Sequence, residues 1–408
     1  MVKQGYKKTE VGVIPEDWES VALLSKCDLL NGLTYTPNDM ADNGLLVIRS
    51  SNVQNNQLVF SDNVYVDLTV ADEKLIKKDD IIICVRNGSA ALIGKCAKAS
   101  RDYTITFGAF MAVLRGENNG YIYQLLQQGT IQKHISKNSG ATINQITNGD
   151  FKTIFVPFPT DAKEQECIAE ALSDVDSMIS SLEKLIAKKK AVKQGSMQEL
   201  LTGQKRLPGF TGEWMSILFK DIYEFAKEGG TPSTSNVQYY HNGKIPFIKI
   251  EHLFSKYIEA GKEFITEEGL NNSSAWLIPT ESIIFSNGAT IGEISINKIP
   301  VSTKQGILGI IPKELFSTEF LFYYLSHQMF LNSVKSVTTH GTMDVAYLKD
   351  MNNILLYVPK DKKEQIAIAT CLADIDNEIE VLEQKLAKTG QIKQGMMQQL
   401  LTGKIRLV

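Results

Sequence analysis

Residues 161–207 read DAKEQECIAEALSDVDSMISSLEKLIAKKKAVKQGSMQELLTGQKRL, and residues 361–407 read DKKEQIAIATCLADIDNEIEVLEQKLAKTGQIKQGMMQQLLTGKIRL. Shifted by 200 positions they align without a gap and are identical at 25 of 47 places. Chance would give about three matches at typical compositions. The chain therefore contains a duplication, and a repeat of this kind decides the architecture before any local pattern does.

Each copy carries a helical signature. Ile168, Leu172, Val175, Ile179, Leu182 and Ile186 recur at alternating spacings of four and three, and Ile368, Leu372, Ile375, Ile379, Leu382 and Leu386 keep the same phase. That spacing is a heptad seam. Acidic residues (Glu164, Glu166, Glu170, Asp174, Asp176) gather near the start and lysines (Lys188, Lys189, Lys190, Lys193) near the end, an order that suits the helix dipole. Pro159 and Pro359 precede the helices, and Gly203 and Gly403 mark their expected ends. A helix of about 40 residues is about 60 Å long and cannot bury its own stripe. The two copies are expected to pack on each other, antiparallel, with a head at each end.

Working outward, the segments before each helix also correspond. Trp18 matches Trp214, Arg86-Asn87-Gly88 matches Ser286-Asn287-Gly288, and Gly140-Ala141-Thr142-Ile143 falls opposite Gly341-Thr342-Met343. Short apolar runs predict strands at 45–48, 80–85 and 110–114 in the first head, and at 245–248, 282–285 and 307–311 in the second. One helix is expected in each head, near 122–135 and 318–334. The fold class is α+β: two heads, 1–160 and 207–360, alternate with two repeated helical regions, 161–206 and 361–408, under an internal pseudo-twofold duplication.

Composition narrows the function. The 408 residues are 43% hydrophobic and 22% charged, enough for more than one ordinary core. No apolar run approaches the about 20 residues that cross a bilayer, and the basic N-terminus lacks an apolar stretch behind it. The five cysteines (Cys27, Cys84, Cys96, Cys167, Cys371) are scattered, consistent with idle thiols in a reducing cytoplasm. A net charge of −3 argues against a free-standing DNA binder, so any nucleic-acid role calls for partners that supply positive charge.

Catalytic constellations are missing. The histidines (His134, His241, His252, His327, His340) form no metal-ligand spacing, so no metal site is expected. Gly88 to Cys96 resembles a phosphate-binding loop, but five residues rather than four separate its glycines and Cys96 stands where a hydroxyl should bind Mg²⁺. Asp161-x-Lys163 and Asp361-x-Lys363 fit half of a nuclease motif, yet they stand where helices begin and read better as caps. The chain is expected to be non-catalytic and to bind no cofactor itself.

Three motifs in this order are specific. Gly229-Gly230-Thr231-Pro232-Ser233-Thr234 is followed by Tyr239-Tyr240 and Gly243-x-Ile245-Pro246-Phe247; then comes Phe285-Ser286-Asn287-Gly288-Ala289-Thr290-Ile291-Gly292. The third is the paired Lys-Gln-Gly-x-Met-Gln-x-Leu-Leu-Thr-Gly at 193–203 and 393–403. Within a duplicated chain they resemble the specificity subunits of type I restriction–modification systems. The first head departs from the pattern, since Asn31-Gly32-Leu33-Thr34-Tyr35-Thr36-Pro37 has no double glycine and no Tyr-Tyr pair follows.

The resemblance implies that each head is a target recognition domain reading one half of a bipartite, asymmetric site on double-stranded DNA. It implies that the helices set the spacer and dock two methyltransferase subunits, which bring S-adenosylmethionine for adenine N6 methylation. Restriction subunits with ATP and Mg²⁺ would join through the complex. Base edges are read by Arg, Lys, Asn, Gln, Ser and Thr on exposed loops. The candidates are Arg49, Ser50, Asn52, Arg86, Asn87, Lys95 and Arg101 in the first head, and Thr231, Ser233, Lys249, Glu251, His252, Ser286, Asn287 and His340 in the second.

Overall fold

A computed structural model describes residues 4–138, 144–341 and 344–407. Of the proposed match of Gly140-Ala141-Thr142-Ile143 to Gly341-Thr342-Met343, all but Gly341 lies outside these residues. The chain divides into two compact units, 1–183 with 384–408, and 184–383. These units cross the sequence boundaries, because each long helix lends one half to each unit.

The repeated segments are the helices Ala162–Leu201 and Lys362–Leu400, of 40 and 39 residues. Asp161 and Asp361 each accept the backbone N–H two residues on at 2.9 Å, the cap role expected of them. Gly203 and Gly403 follow the last turns with φ of 72° and 69°, the left-handed conformation that ends helices. Within the second unit the helix halves run antiparallel, since Lys190 pairs with Glu383 and Lys193 with Asp376 at 2.7 and 2.6 Å. In the first unit Lys393 repeats the bond to Asp176 at 2.6 Å.

All twelve heptad positions are buried or half-buried. Their partners differ along the helix. Ile168 and Leu172 join the core of the first head together with Met397, Leu400 and Leu401. Ile368 and Leu372 join the second head's core with Leu200 and Leu201. The first turns of each helix thus serve the head that precedes them as well as the partner helix.

Two sheets recur in both heads alongside two-stranded pairs, and one of them keeps its strand order. In the first head, Cys96–Lys98, Ile81–Cys84, Met111–Arg115 and Asp28–Asn31 pair antiparallel throughout. In the second, the corresponding order is Ile294–Asn297, Ile283–Ser286, Ile307–Pro312 and Tyr223–Glu228. The other sheet centres on Leu45–Ile48, parallel to Ile105–Phe107 and antiparallel to Val64–Val66. Its counterpart centres on Ile245–Ile248, parallel to Ser302–Thr303 and antiparallel to Phe264–Ile265. Full burial on both faces explains why the central strand Ile81–Cys84 reads as an unbroken apolar run, and Ile283–Ser286 as one up to its final serine.

The single helix expected in each head is two. Asn119–Leu126 and Gly129–Asn138 are separated at Gln127 and Gln128. Thr318–Ser326 and Gln328–Ser336 are separated by His327, whose extended ψ of 143° breaks the helix while its ring caps the next one, accepting from the Met329 N–H. Across His327 the apolar residues Phe320, Tyr324, Leu331 and Val334 stay in helical phase, so periodicity alone runs those pieces together, whereas the phase slips between Leu126 and Ile131.

A clamp closes the base of each unit. In the first, Glu164, 1% exposed in its side chain, accepts from Trp18 Nε1 at 3.0 Å and from the Arg406 guanidinium at 2.5 and 2.8 Å. Arg406 also forks onto Asp17 at 2.9 and 2.7 Å, which holds that carboxyl below its ordinary value. In the second, Glu364 takes the guanidinium of Arg206 and the indole N–H of Trp214. Fork geometry and charge make such bonds the stronger kind.

Candidate nucleic-acid interface

The strand Leu45–Ile48 ends at Arg49, and Ile245–Ile248 ends at Lys249. Both then turn into one short 3-10 helix, at Ser50–Asn52 and Ile250–His252. The backbone N–H of Arg49 is held by Asn52 Oδ1 at 2.9 Å, and that of Lys249 by His252 Nδ1 at 3.2 Å. One side chain three residues on therefore fixes the position of each cation.

Both cations look into an open cleft. In the first head a cleft of about 580 Å³ is lined by Tyr35, Arg49, Ser50, Asp62 and Phe110 among others. In the second, a cleft of about 440 Å³ is lined by Thr231, Tyr240, Phe247, Lys249, Glu263 and Lys304 among others. Phe110 keeps 54% of its surface exposed and carries the Arg86 guanidinium 5.0 Å above its ring. Each cleft thus combines an aromatic wall, hydroxyls and a fixed cation, the mixture that meets base edges and phosphates.

Several of the first head's candidates converge. Asn87 donates to Ser50 Oγ at 2.9 Å, and Lys95 Nζ reaches the Ser50 carbonyl at 3.3 Å. Arg49, Ser50, Arg86, Asn87 and Lys95 therefore form one cluster. Asn52 does not face out: it is fully buried and spends its amide on the Val59 and Asp62 carbonyls. Arg101 lies elsewhere, over the Tyr103 ring at 4.9 Å.

The second head requires further corrections. Ser286 and Asn287 are both fully buried. Ser286 Oγ donates to the Gly288 and Thr290 carbonyls, and Asn287 donates to Ala346. They shape the loop from within because the strand Ile283–Ser286 runs inside the sheet, and neither presents a group to a ligand. Arg86, at the position of Ser286, is exposed, so register correspondence did not carry over exposure. Thr231 and Lys249 line the cleft, with Ser233 exposed two residues on. His340, on a separate loop, bonds to Asp344 at 3.0 Å.

The double glycine has a steric cause. A Cβ at Gly229 would lie 2.2 Å from the Thr303 carbonyl, and one at Gly230 would lie 2.0 Å from Ser274 Oγ. In the first head Gly32, which follows Asp28–Asn31 as Gly229 follows Tyr223–Glu228, is confined in the same way, 2.1 Å from the Gly108 carbonyl.

Two acids at the clefts escaped sequence reasoning. Asp62 pairs with Arg49 at 2.8 Å, and Glu263 pairs with Lys249 at 2.6 Å. The Glu263 hydrogen bond also holds the Lys249 ammonium above its ordinary value. Lys304 is a further exposed cation at the second cleft. The available signal was topological: each acid directly precedes or nearly precedes the strand that pairs antiparallel with the cation's own strand. Glu251, His252 and Glu263 bring potential ligand atoms within 4.8 Å of one another. That group is solvent-facing, and Lys249 already occupies Glu263.

Comparison with known proteins agrees with this build. The model of the type I restriction modification DNA specificity domain matches twice, at residues 15–194 and 211–389. A Methanocaldococcus jannaschii protein assigned as the MjaX specificity subunit of a type I restriction enzyme is 27% identical over 99% of this chain and 97% of its own length. The EcoKI specificity subunit of Escherichia coli K12 is 32% identical over 42% of this chain and 38% of its own. Among solved structures, the type I restriction–modification S subunit from M. genitalium superposes with a TM-score of 0.59 at 18% identity, covering 94% of this chain and 96% of that one. A chain from work on complex assembly of the type I R-M system gives 0.58 at 16% identity, covering 96% and 99%. With two matched domains on two like heads, the chain belongs to the type I restriction–modification DNA specificity family, as a specificity subunit.

Proposed function

We propose that each head reads one half of a split, asymmetric duplex sequence and that the two long helices set the unread spacer. The same helices dock two methyltransferase subunits, whose S-adenosylmethionine supplies the methyl group for adenine N6. Restriction subunits, with ATP and Mg²⁺, join through that complex. The chain itself directs the chemistry and performs none.

One observation carries this reading: a cation-walled cleft recurs at the same place in the same fold with different residues around it. Arg49 and Ser50 stand in one, Lys249 and Thr231 in the other. Two sites of one build and unlike lining suit two unlike half-sites. Met178, Leu185, Val192, Val381 and Ile392 leave exposed apolar surface on the long helices, which suits partner docking. The net charge of −3 fits a subunit whose partners contribute to holding the duplex.

The test is co-expression with the cognate methyltransferase subunit, followed by mapping of N6-methyladenine in host DNA. A single split motif with adenines marked on both strands is the expected result. A competent partner that forms no complex with this chain and leaves no new methylation would refute the proposal.

A further inference from the structure

Carboxylates on a DNA-facing surface repel phosphate, so an acid at a reading cleft needs a compensating role. Each cleft has one, paired with its strand-end cation. Asp62 and Glu263 pair with the strand-end cations Arg49 and Lys249, yet their side chains stay 62% and 45% exposed. The cations are more enclosed, at 37% and 29%. Each acid therefore presents free acceptor surface to the cleft while its charge is offset from behind.

We infer that Asp62 and Glu263 are specificity-determining residues, each accepting a hydrogen bond from the exocyclic amine of a base in its own half-site. This rests on the reading that the clefts face DNA. In the major groove only cytosine N4 and adenine N6 donate, and carboxylates are the side chains that only accept. Paired with that amine across the same base pair is an acceptor, guanine O6 or thymine O4. A carboxylate beside a cation is complementary to this donor–acceptor couple. The distances agree: Asp62 to Arg49 spans 2.8 Å and Glu263 to Lys249 spans 2.6 Å, the scale of a hydrogen-bonded pair of base edge atoms. The neighbouring cation serves the carboxylate twice, lowering its repulsion of phosphate and meeting the acceptor beside it.

The alternative role for each acid is to hold its cation in place. The two roles separate on measurement. Loss of an acid that reads a base reduces discrimination but also removes a negative charge, so affinity for random duplex holds or rises. Loss of an acid that only props a cation weakens binding to every sequence alike.

The experiment uses the full complex with its methyltransferase subunit, comparing wild type with Asp62→Asn and Glu263→Gln. Methylation motifs are mapped, and binding to cognate and random duplexes is titrated against salt. Asp62→Asn is expected to relax one position in one half-site at least about tenfold, and Glu263→Gln one position in the other half, with spacing unchanged. The relaxed position identifies the base as cytosine or adenine. Asp62→Glu keeps the charge, moves the oxygen and is expected to slow cognate methylation; thermal unfolding checks that each variant is folded. A wild-type split motif left unchanged by both neutral variants, or a uniform loss of affinity, overturns this inference alone. A wild-type complex with no split motif overturns the parent reading and this one with it.

Discussion

At the residue scale, environment rather than residue type decides what a group can do. Cys27 and Cys96 are buried, and burial pushes both thiols up to about 12. Cys84 is buried too, whereas Cys167 and Cys371 are half-buried on the long helices. The thiolate is the reactive form. Ellman's reagent at pH 8 is therefore expected to titrate two thiols in the folded protein and all five in denaturant; fast reaction of a third would contradict this placement. His327 is only 8% exposed, and burial holds it below its ordinary 6.5. The unfolded chain then takes up the proton more readily than the folded one. Its contribution to stability is complete above 6.5 and is lost as pH falls below that value. His327→Asn, which keeps a capping acceptor, should flatten the fall of Tm between pH 7 and 5 measured by calorimetry. Parallel falls in variant and wild type would assign that pH dependence to other groups.

Repeated polar contacts tie the elements together beside the apolar seam. Asp176 takes Lys393 and Gln124, and Asp376 takes Lys193 and Tyr323, so one aspartate per unit joins a long helix to its partner and to the head. The Arg–Glu–Trp clamps are the sharper case. Removing the arginine leaves Glu164 or Glu364 with a charge in a site where its side chain is 1% exposed. Breaking such a pair from one side costs about 3 kcal/mol or more. Arg406→Ala and Arg206→Ala are each expected to destabilise by about that amount in urea titrations. The lysine variants should recover only part, since an ammonium cannot fork. Losses under about 1 kcal/mol would mean that water replaces the guanidinium at little cost.

Across the whole molecule, the two units repeat one plan with different chain connections. In the second unit Arg206 and Trp214 are eight residues apart; in the first, Arg406 meets a Trp18 from the opposite end of the sequence. Head exchange must respect this. Replacing residues 1–160 with those of a relative that keeps an acid and a tryptophan at positions 17 and 18 should change one half of the methylated motif. Methylome sequencing reads the outcome, and a change in both halves would show that the heads do not read independently.

Much of this plan was legible in the chain. The duplication, both long helices, their caps and the central strands follow from periodicity and turn residues, because those signals are local and recur within a few positions. The break at His327 was not legible, since apolar phase continues through it, and the break at Gln127 shows in the chain only as a phase slip between Leu126 and Ile131. Nor was the burial of Asn52, Ser286 and Asn287, whose types suit an exposed reading loop as well as an interior one. Asp62 and Glu263 lie more than ten residues from the cations they join, and no local motif links them. The sequence by itself determined the family, the two-headed repeat and the antiparallel helix pair. Only the tertiary structure decided which polar groups face outward and which acid meets which cation, because strand pairing and burial bring together residues that no local spacing relates.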